Sequence, residues 1–369
     1  MRSLLLCGIL IASPAASWAQ DVETSATSLR TPAEQVGSMK PSFVVMPIPL
    51  SNPAIGSGLG VVGLALYKPS GSARPWTSGA GGLYTDSKSW AVAAFQKAYL
   101  GGDKYRVTAG AGTGVFNVDY FGIGSDAGSD GRSIELEQKT TGGVVEGLMH
   151  VKQHVHAGLR FRYIKMDSTF KTTSLLPQFE LPDIELQSTV SQLGPAIEYD
   201  TRDSEYYPRS GTYASGQWLV SSDNLGSDFD YSRLTAAVNG YHDVNDRTVV
   251  AWRGSVCRST DGGPFYDLCN YGQSNDLRGY TAGQYRDHAM FAVQAEVRRK
   301  IYGRFGAVAF AGVGEVAPEF AKFNTKDLLP AAGIGVRFEA STKYHLNMSV
   351  DYAVGDGSSA LYFYVGEAF

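Results

Sequence analysis

Ala289-Met290-Phe291-Ala292-Val293-Gln294-Ala295-Glu296-Val297-Arg298-Arg299-Lys300-Ile301 is the stretch on which the fold turns. Phe291, Val293, Ala295 and Val297 take every second position, and Gln294, Glu296, Arg298 and Lys300 take those between them. Successive side chains of a strand point to opposite faces, so this segment has one apolar and one charged face. The pattern recurs in Ala331 to Ala340, where Ala332, Ile334, Val336 and Phe338 oppose Arg337 and Glu339. It recurs in Tyr344 to Tyr352, where Leu346, Met348 and Val350 oppose His345, Asn347, Ser349 and Asp351. In Val155 to Tyr163, Leu159, Phe161 and Tyr163 oppose His156, Arg160 and Arg162. A soluble sandwich alternates too, so the choice between water and lipid needs more.

Strand-like segments fall near 41–51, 55–67, 76–85, 90–100, 104–118, 138–149, 154–166, 189–200, 211–221, 229–243, 247–257, 288–302, 303–317, 328–341, 343–354 and 359–369. They number sixteen, and an even count suits a bacterial single-chain barrel with both ends in the periplasm. Short connections such as Tyr302-Gly303-Arg304 and Val244-Asn245-Asp246 take turns with long ones at 119–137, 167–188 and 258–287, as periplasmic turns and external loops would. Aromatic residues recur near segment ends (Trp76, Tyr84, Trp90, Tyr99, Tyr241, Tyr302, Tyr344, Tyr352), where interfacial girdles are expected. The sequence therefore predicts an all-β fold, a transmembrane antiparallel β-barrel of sixteen strands spanning 41–369.

Composition agrees. The 369 residues carry a formal charge of −4, 18% charged residues, 43 glycines and 21 tyrosines. Charge is low against the roughly 25% of soluble domains. The aromatic and β-branched content excludes a disordered chain, and the near-neutral balance leaves no footprint for nucleic acid. Pro41 to Tyr67 is uncharged, but Pro47, Pro49, Pro53 and several glycines break it as a membrane helix.

Residues 1–19 read as a cleaved signal peptide: Arg2, an apolar run from Leu4 to Ala12, and small residues Ser17 and Ala19 before Gln20. Residues 20–40 read as a polar, flexible leader. Export leaves Cys257 and Cys269, which most simply close a disulfide, since no further zinc ligand lies nearby.

Several stretches carry a resemblance. Asn275-Asp276-Leu277-Arg278-Gly279-Tyr280, between the eleventh and twelfth segments, has an Arg-Gly-aromatic core. Asp200-Thr201-Arg202-Asp203 precedes Pro208-Arg209-Ser210-Gly211 between the eighth and ninth. Tyr120-Phe121-Gly122-Ile123-Gly124 and the opening Pro47-Ile48-Pro49 to Gly56-Ser57-Gly58 add to these, and the sequence given closes on Leu361-Tyr362-Phe363-Tyr364-Val365-Gly366-Glu367-Ala368-Phe369. Together they resemble the BamA/TamA-type bacterial surface antigen barrels, a superfamily that inserts or secretes proteins at the outer membrane. The resemblance implies an outer-membrane location, a lumen loop carrying Leu277, Arg278, Gly279 and Tyr280, a turn motif of Asp200, Arg202, Asp203, Pro208 and Gly211, and a strand-end assembly signal in Phe363, Gly366 and Phe369. Two departures are expected: a leader in place of periplasmic POTRA repeats, and Gly312 where the family often has an acidic residue that pairs with the loop arginine.

Arg278 is accordingly the leading site residue. A guanidinium inside a barrel needs carboxylates to accept its fork. Glu296 is the first candidate partner and Glu315 the second, and the plainer reading is a surface arginine in an external loop. Arg160, Arg162, Arg253, Glu296, Arg298, Arg337, Glu339 and Asp351 mix signs in the lumen and suggest a salt-bridged interior more than an anion pore. His150, His154 and His156 cluster at one turn, but lining the barrel mouth is the simpler reading than a metal site. Gly122 to Ala127 matches a dinucleotide fingerprint without its strand-turn-helix context. No Gly-x-Ser-x-Gly occurs and no nucleophile-base pair is specified, so neither enzyme nor cofactor is expected.

The expected activity is assistance to protein insertion or translocation through a weak seam between 41–51 and 359–369, where Gly366 and Gly56 to Gly60 would loosen packing. The alternative is a passive pore or structural surface barrel. Outer-membrane lipid and lipopolysaccharide are the expected surroundings. A client protein or separate periplasmic protein is the expected partner of the activity, and assembly of several copies stays open.

Overall fold

The computed structural model describes residues 42–52, 54–72, 76–171, 187–204, 207–272, 275–341 and 346–369. The expected signal peptide and leader, most of the 167–188 connection, and Tyr344 and His345 lie outside these residues.

The barrel strands are β1 (Ser42–Asn52), β2 (Gly56–Tyr67), β3 (Trp76–Thr85), β4 (Trp90–Leu100), β5 (Tyr105–Tyr120), β6 (Ile134–Lys152), β7 (Val155–Phe170), β8 (Gln187–Asp200), β9 (Gly211–Ser221), β10 (Tyr231–Asn245), β11 (Thr248–Ser259), β12 (Ala289–Tyr302), β13 (Phe305–Ala317), β14 (Leu329–Ser341), β15 (Leu346–Gly355) and β16 (Ser358–Val365). Each pairs antiparallel with the next in one 16-stranded sheet that curls into a nearly closed barrel. Alternation places the two faces as the sequence predicts. Leu159 is 58% exposed, whereas Arg160 beside it is 1% exposed and turned into the lumen. A helix, α1 (Ser125–Ser129), sits in the β5–β6 connection.

Three expectations shift. The β5–β6 hairpin continues past the expected 138–149 segment, because Ile134 to Glu137 still alternate and pair with Asn117 to Tyr120. Tyr99 and Tyr241 are buried in the barrel instead of joining the outer girdles, while Tyr84, Trp90, Tyr302 and Tyr352 are exposed. β16 stops at Val365, not Phe369: Gly366, at φ 93°, turns the chain off the sheet and into the lumen.

The edges matter most. Among the described residues no ladder joins β1 to β16, although the two strands lie side by side. Pro47 and Pro49 lie opposite Val61 and Leu59 on β2. A proline has no N–H to give, so these pairs are the ones whose bonding groups turn away from β2. The free edge of β1 therefore lacks two alternate donors.

Candidate functional site

The long connection between β11 and β12 folds into the barrel. Phe265 to Asp267 form a short 3-10 turn, and Cys269–Asn270 pairs with Arg286–Asp287 to make the loop a small hairpin of its own. The disulfide Cys257–Cys269 fixes its start to β11, with a Cα–Cα distance of 5.6 Å.

One anchor is Asp267, which is fully buried. Arg162 of β7 donates to Asp267 Oδ1 at 2.5 Å, Gln192 of β8 donates at 3.3 Å, the Tyr231 hydroxyl donates to Oδ2, and Arg233 of β10 stands at 3.9 Å. Burial alone would raise the Asp267 carboxyl, but Arg162 and Arg233 together hold it below the usual carboxylate range.

Between the anchors, Arg253 of β11 donates to Asp276 Oδ1 at 3.0 and 2.8 Å and to Asn239 Oδ1 at 2.9 Å. Gln294 of β12 donates to the carbonyls of Asn275 and Asp276 at 2.6 and 2.5 Å. Leu277 is fully buried. A Cβ on Gly312 would lie 2.4 Å from the Val293 carbonyl oxygen of the neighbouring strand and 2.7 Å from Leu277 Cδ1, so strand and loop together leave no room for a side chain here.

Arg278 is the second anchor. Its Nη2 donates to Glu296 Oε2 at 2.6 Å and to Gln294 Oε1 at 3.3 Å. Its Nη1 donates to Asp351 Oδ2 and, at 3.0 Å, to the Tyr364 hydroxyl. The guanidinium lies 3.5 Å from the centroid of the Phe310 ring of β13. Burial pulls the Arg278 pKa down, but Tyr364, Glu296 and Asp351 outweigh it and keep the group charged above its ordinary value. Gly279 follows at φ 127°, and a Cβ there would press on the Val354 backbone at 3.0 Å. Its N–H donates to the Tyr362 hydroxyl at 2.9 Å. Tyr280 donates to the Pro330 carbonyl at 2.6 Å and accepts from Asp356 N–H at 3.1 Å.

Glu296 is thus in contact with Arg278, whereas Glu315 is not. Glu315 sits at the far end of β13 and accepts the Asn324 N–H at 3.0 Å. Asp351 is the partner that was not foreseen: its place on the inner face was legible, but its meeting with a loop 73 positions away was not.

The other candidate residues form local structure. Arg202 grips Asp200 at 2.9 and 3.1 Å and stacks 4.2 Å from the Tyr213 ring. Asp203 accepts from the N–H groups of Arg209 and Ser210, and Arg209 bridges to Asp243 of β10 at 3.0 and 2.6 Å. Pro208 is buried, and a Cβ on Gly211 would lie 2.3 Å from the Thr201 carbonyl oxygen. Gly124 N–H donates to the Arg286 carbonyl at 2.8 Å, tying the Tyr120 to Gly124 element to the plug. Burial lowers Arg286 to about 10 despite the neighbouring Tyr120. His156 is buried against the Asp103 carbonyl at 3.2 Å and His154 occupies the turn before β7. Among the described residues no three potential ligands converge as a metal site. Phe363 lies on β16, while Phe369 lies inside, 6.5 Å from the Tyr241 ring.

A loop thus sits inside the lumen of a sheet that, among the described residues, has one unladdered seam. The chain matches the model of the Omp85 superfamily domain over residues 75–369. No curated protein sequence matches it. Among solved structures, BamA from Haemophilus ducreyi lacking POTRA domains 1-3 is similar with a TM-score of 0.58 at 14% identity, over 88% of this chain and 69% of that one. CdiB from Acinetobacter baumannii gives 0.59 at 10% identity over 88% and 59%, and CdiB from Escherichia coli gives 0.61 at 11% over 90% and 63%. This chain spans less than two thirds of either CdiB chain, and at such identities the likeness is one of fold. The family match, running from the start of β3 through the segment after β16, carries the assignment: the chain belongs to the Omp85 superfamily of outer-membrane β-barrels.

Proposed function

We propose that this barrel assists the insertion of proteins into the outer membrane or their passage across it, without catalysing a covalent reaction. The observation that carries the reading is the seam. Among the described residues fifteen neighbouring pairs of strands are laddered, and β1 and β16 are not. The missing donors at Pro47 and Pro49 keep that edge from zipping shut along its length. The inserted loop supports the same reading, because it is anchored across the lumen that a passive pore would leave open. The signal read in residues 1–19 fits delivery to this membrane, and lipid with lipopolysaccharide is the medium that the apolar outer face suits.

Photo-crosslinkers placed at Val45 on β1 and Leu361 on β16, both exposed on the outer face, test it. The expected result is adducts with a client protein whose membrane or surface level falls when the barrel is depleted. Steady conductance in planar bilayers, with no seam adducts and no protein lost on depletion, would replace this reading with that of a passive pore.

A further inference from the structure

The segment Gly366–Phe369 enters the lumen beside the plug. Glu367 accepts from Arg337 Nε at 2.8 Å and from Asn347 Nδ2 at 2.7 Å, and stands 3.7 Å from Arg298 Nε. Ser349 Oγ donates to the Gly366 carbonyl at 2.6 Å, and Arg298 Nη2 donates to the Phe369 carbonyl at 2.8 Å.

These contacts close a ring. Arg278 pairs with Glu296, Glu296 with Arg298, Arg298 with Glu367, Glu367 with Arg337, Arg337 with Asp351, and Asp351 with Arg278 again. Three guanidiniums alternate with three carboxylates, and all six side chains are at most 4% exposed. The charges balance only while Glu367 is present. Without it, Arg298 and Arg337 lose their shared anion and three cations are left to two carboxylates, with Arg278 bearing part of the mutual repulsion.

Glu367 is joined to β16 by a single turn at Gly366, and β16 is one lip of the seam. We propose that Gly366–Phe369 is an internal latch: Glu367 positions Arg298 and Arg337 so that the ring grips Arg278, and movement of β16 away from its place withdraws Glu367 and loosens the plug. The inference deepens the seam reading and rests on it for its purpose, but the coupling itself is measurable without any client. Plug and seam strand then answer to each other, and coupling of this kind is reciprocal.

The test uses the detergent-extracted full chain, with heat-modifiable migration to measure the folded fraction. In Glu367→Gln, tryptic cleavage after Arg278 and Arg286 is expected to quicken about tenfold, equivalent to about 1.4 kcal/mol, while the barrel's heat-modifiability midpoint stays in place. Reciprocally, Arg278→Ala should raise maleimide labelling of an Ala368→Cys probe several-fold. Should Glu367→Gln fail to assemble, Ser349→Ala, which removes one neutral bond to the segment, carries the same measurement with an expected two- to threefold change, roughly the worth of one hydrogen bond. A folded variant whose loop stays as protected as the unmodified chain, or a probe indifferent to Arg278→Ala, overturns the latch. Loop release with undisturbed client handling keeps the latch and removes the seam function instead.

Discussion

Asp267 and Arg278 are two grips of one loop, and they are built with opposite polarity. At the first, the loop offers a carboxylate to a wall of cations, Arg162 and Arg233. At the second, it offers a cation to two carboxylates, Glu296 and Asp351, which Arg298 and Arg337 share. Either pair alone, once desolvation is counted, would do little better than an apolar contact. Together they specify placement. A loop entered in the reverse sense would bring Asp267 toward Glu296 and Asp351 and Arg278 toward Arg162 and Arg233.

The most disruptive way to break the contrast is Arg278→Ala, which leaves the three buried carboxylates Glu296, Asp351 and Glu367 to share only Arg298 and Arg337. The expected cost is about 3–5 kcal/mol, seen as loss of loop protection in limited proteolysis. Arg278→Lys should restore little, since an ammonium cannot serve Glu296 and Asp351 with a planar fork while stacking on Phe310. Unchanged protection in both variants would show that the second grip does not hold the loop.

Asp267→Asn should cost a comparable amount, about 3 kcal/mol, because Arg162 and Arg233 lose their shared counter-charge even though Gln192 and Tyr231 can still bond to an amide. Acid offers the same comparison without mutation. The Asp267 pKa is depressed on folding, so its stabilisation is complete above the ordinary carboxylate range and disappears as pH falls through the lowered value. Proteolysis in acid should therefore open the Phe265 to Asp267 end by the titration of Asp267 itself. A pH-independent cleavage pattern there would contradict this.

Removing the disulfide with Cys257→Ser and Cys269→Ser should weigh less. The chain-entropy ceiling for a gap of this size is about 3 kcal/mol, and both grips still restrain the loop, so a modest rise in loop cleavage is expected with the barrel intact. Tyr280→Phe, which gives up the bond to Pro330, marks the small end at about 1 kcal/mol in the same assay.

The barrel was readable because period-2 alternation between lipid and lumen leaves its mark in every strand, and Gln294, Glu296 and Arg298 showed it within a few residues. Glu296 could be proposed for Arg278 because it lies on the strand that the loop leads into. Asp351 and Asp267 could not be assigned in the same way: which residues meet across a lumen depends on strand tilt and stagger, and these accumulate over the whole sheet. Phe310 under Arg278 had no local signal for the same reason. The expected strand ran on to Phe369 because the sequence alternates through Val365 and closes on an aromatic residue, whereas Gly366 permits a turn and Glu367 finds two arginines inside.

The two prolines of β1 also bear on how the protein behaves among its own kind. An uncovered strand is a template for any other uncovered strand, and barrels crowded in a membrane or a detergent micelle would meet edge to edge. With donors absent at Pro47 and Pro49, a second copy could pair only in short, interrupted stretches. The edge is thereby guarded against self-aggregation, and replacing both prolines with valine should raise self-association of the extracted protein on storage.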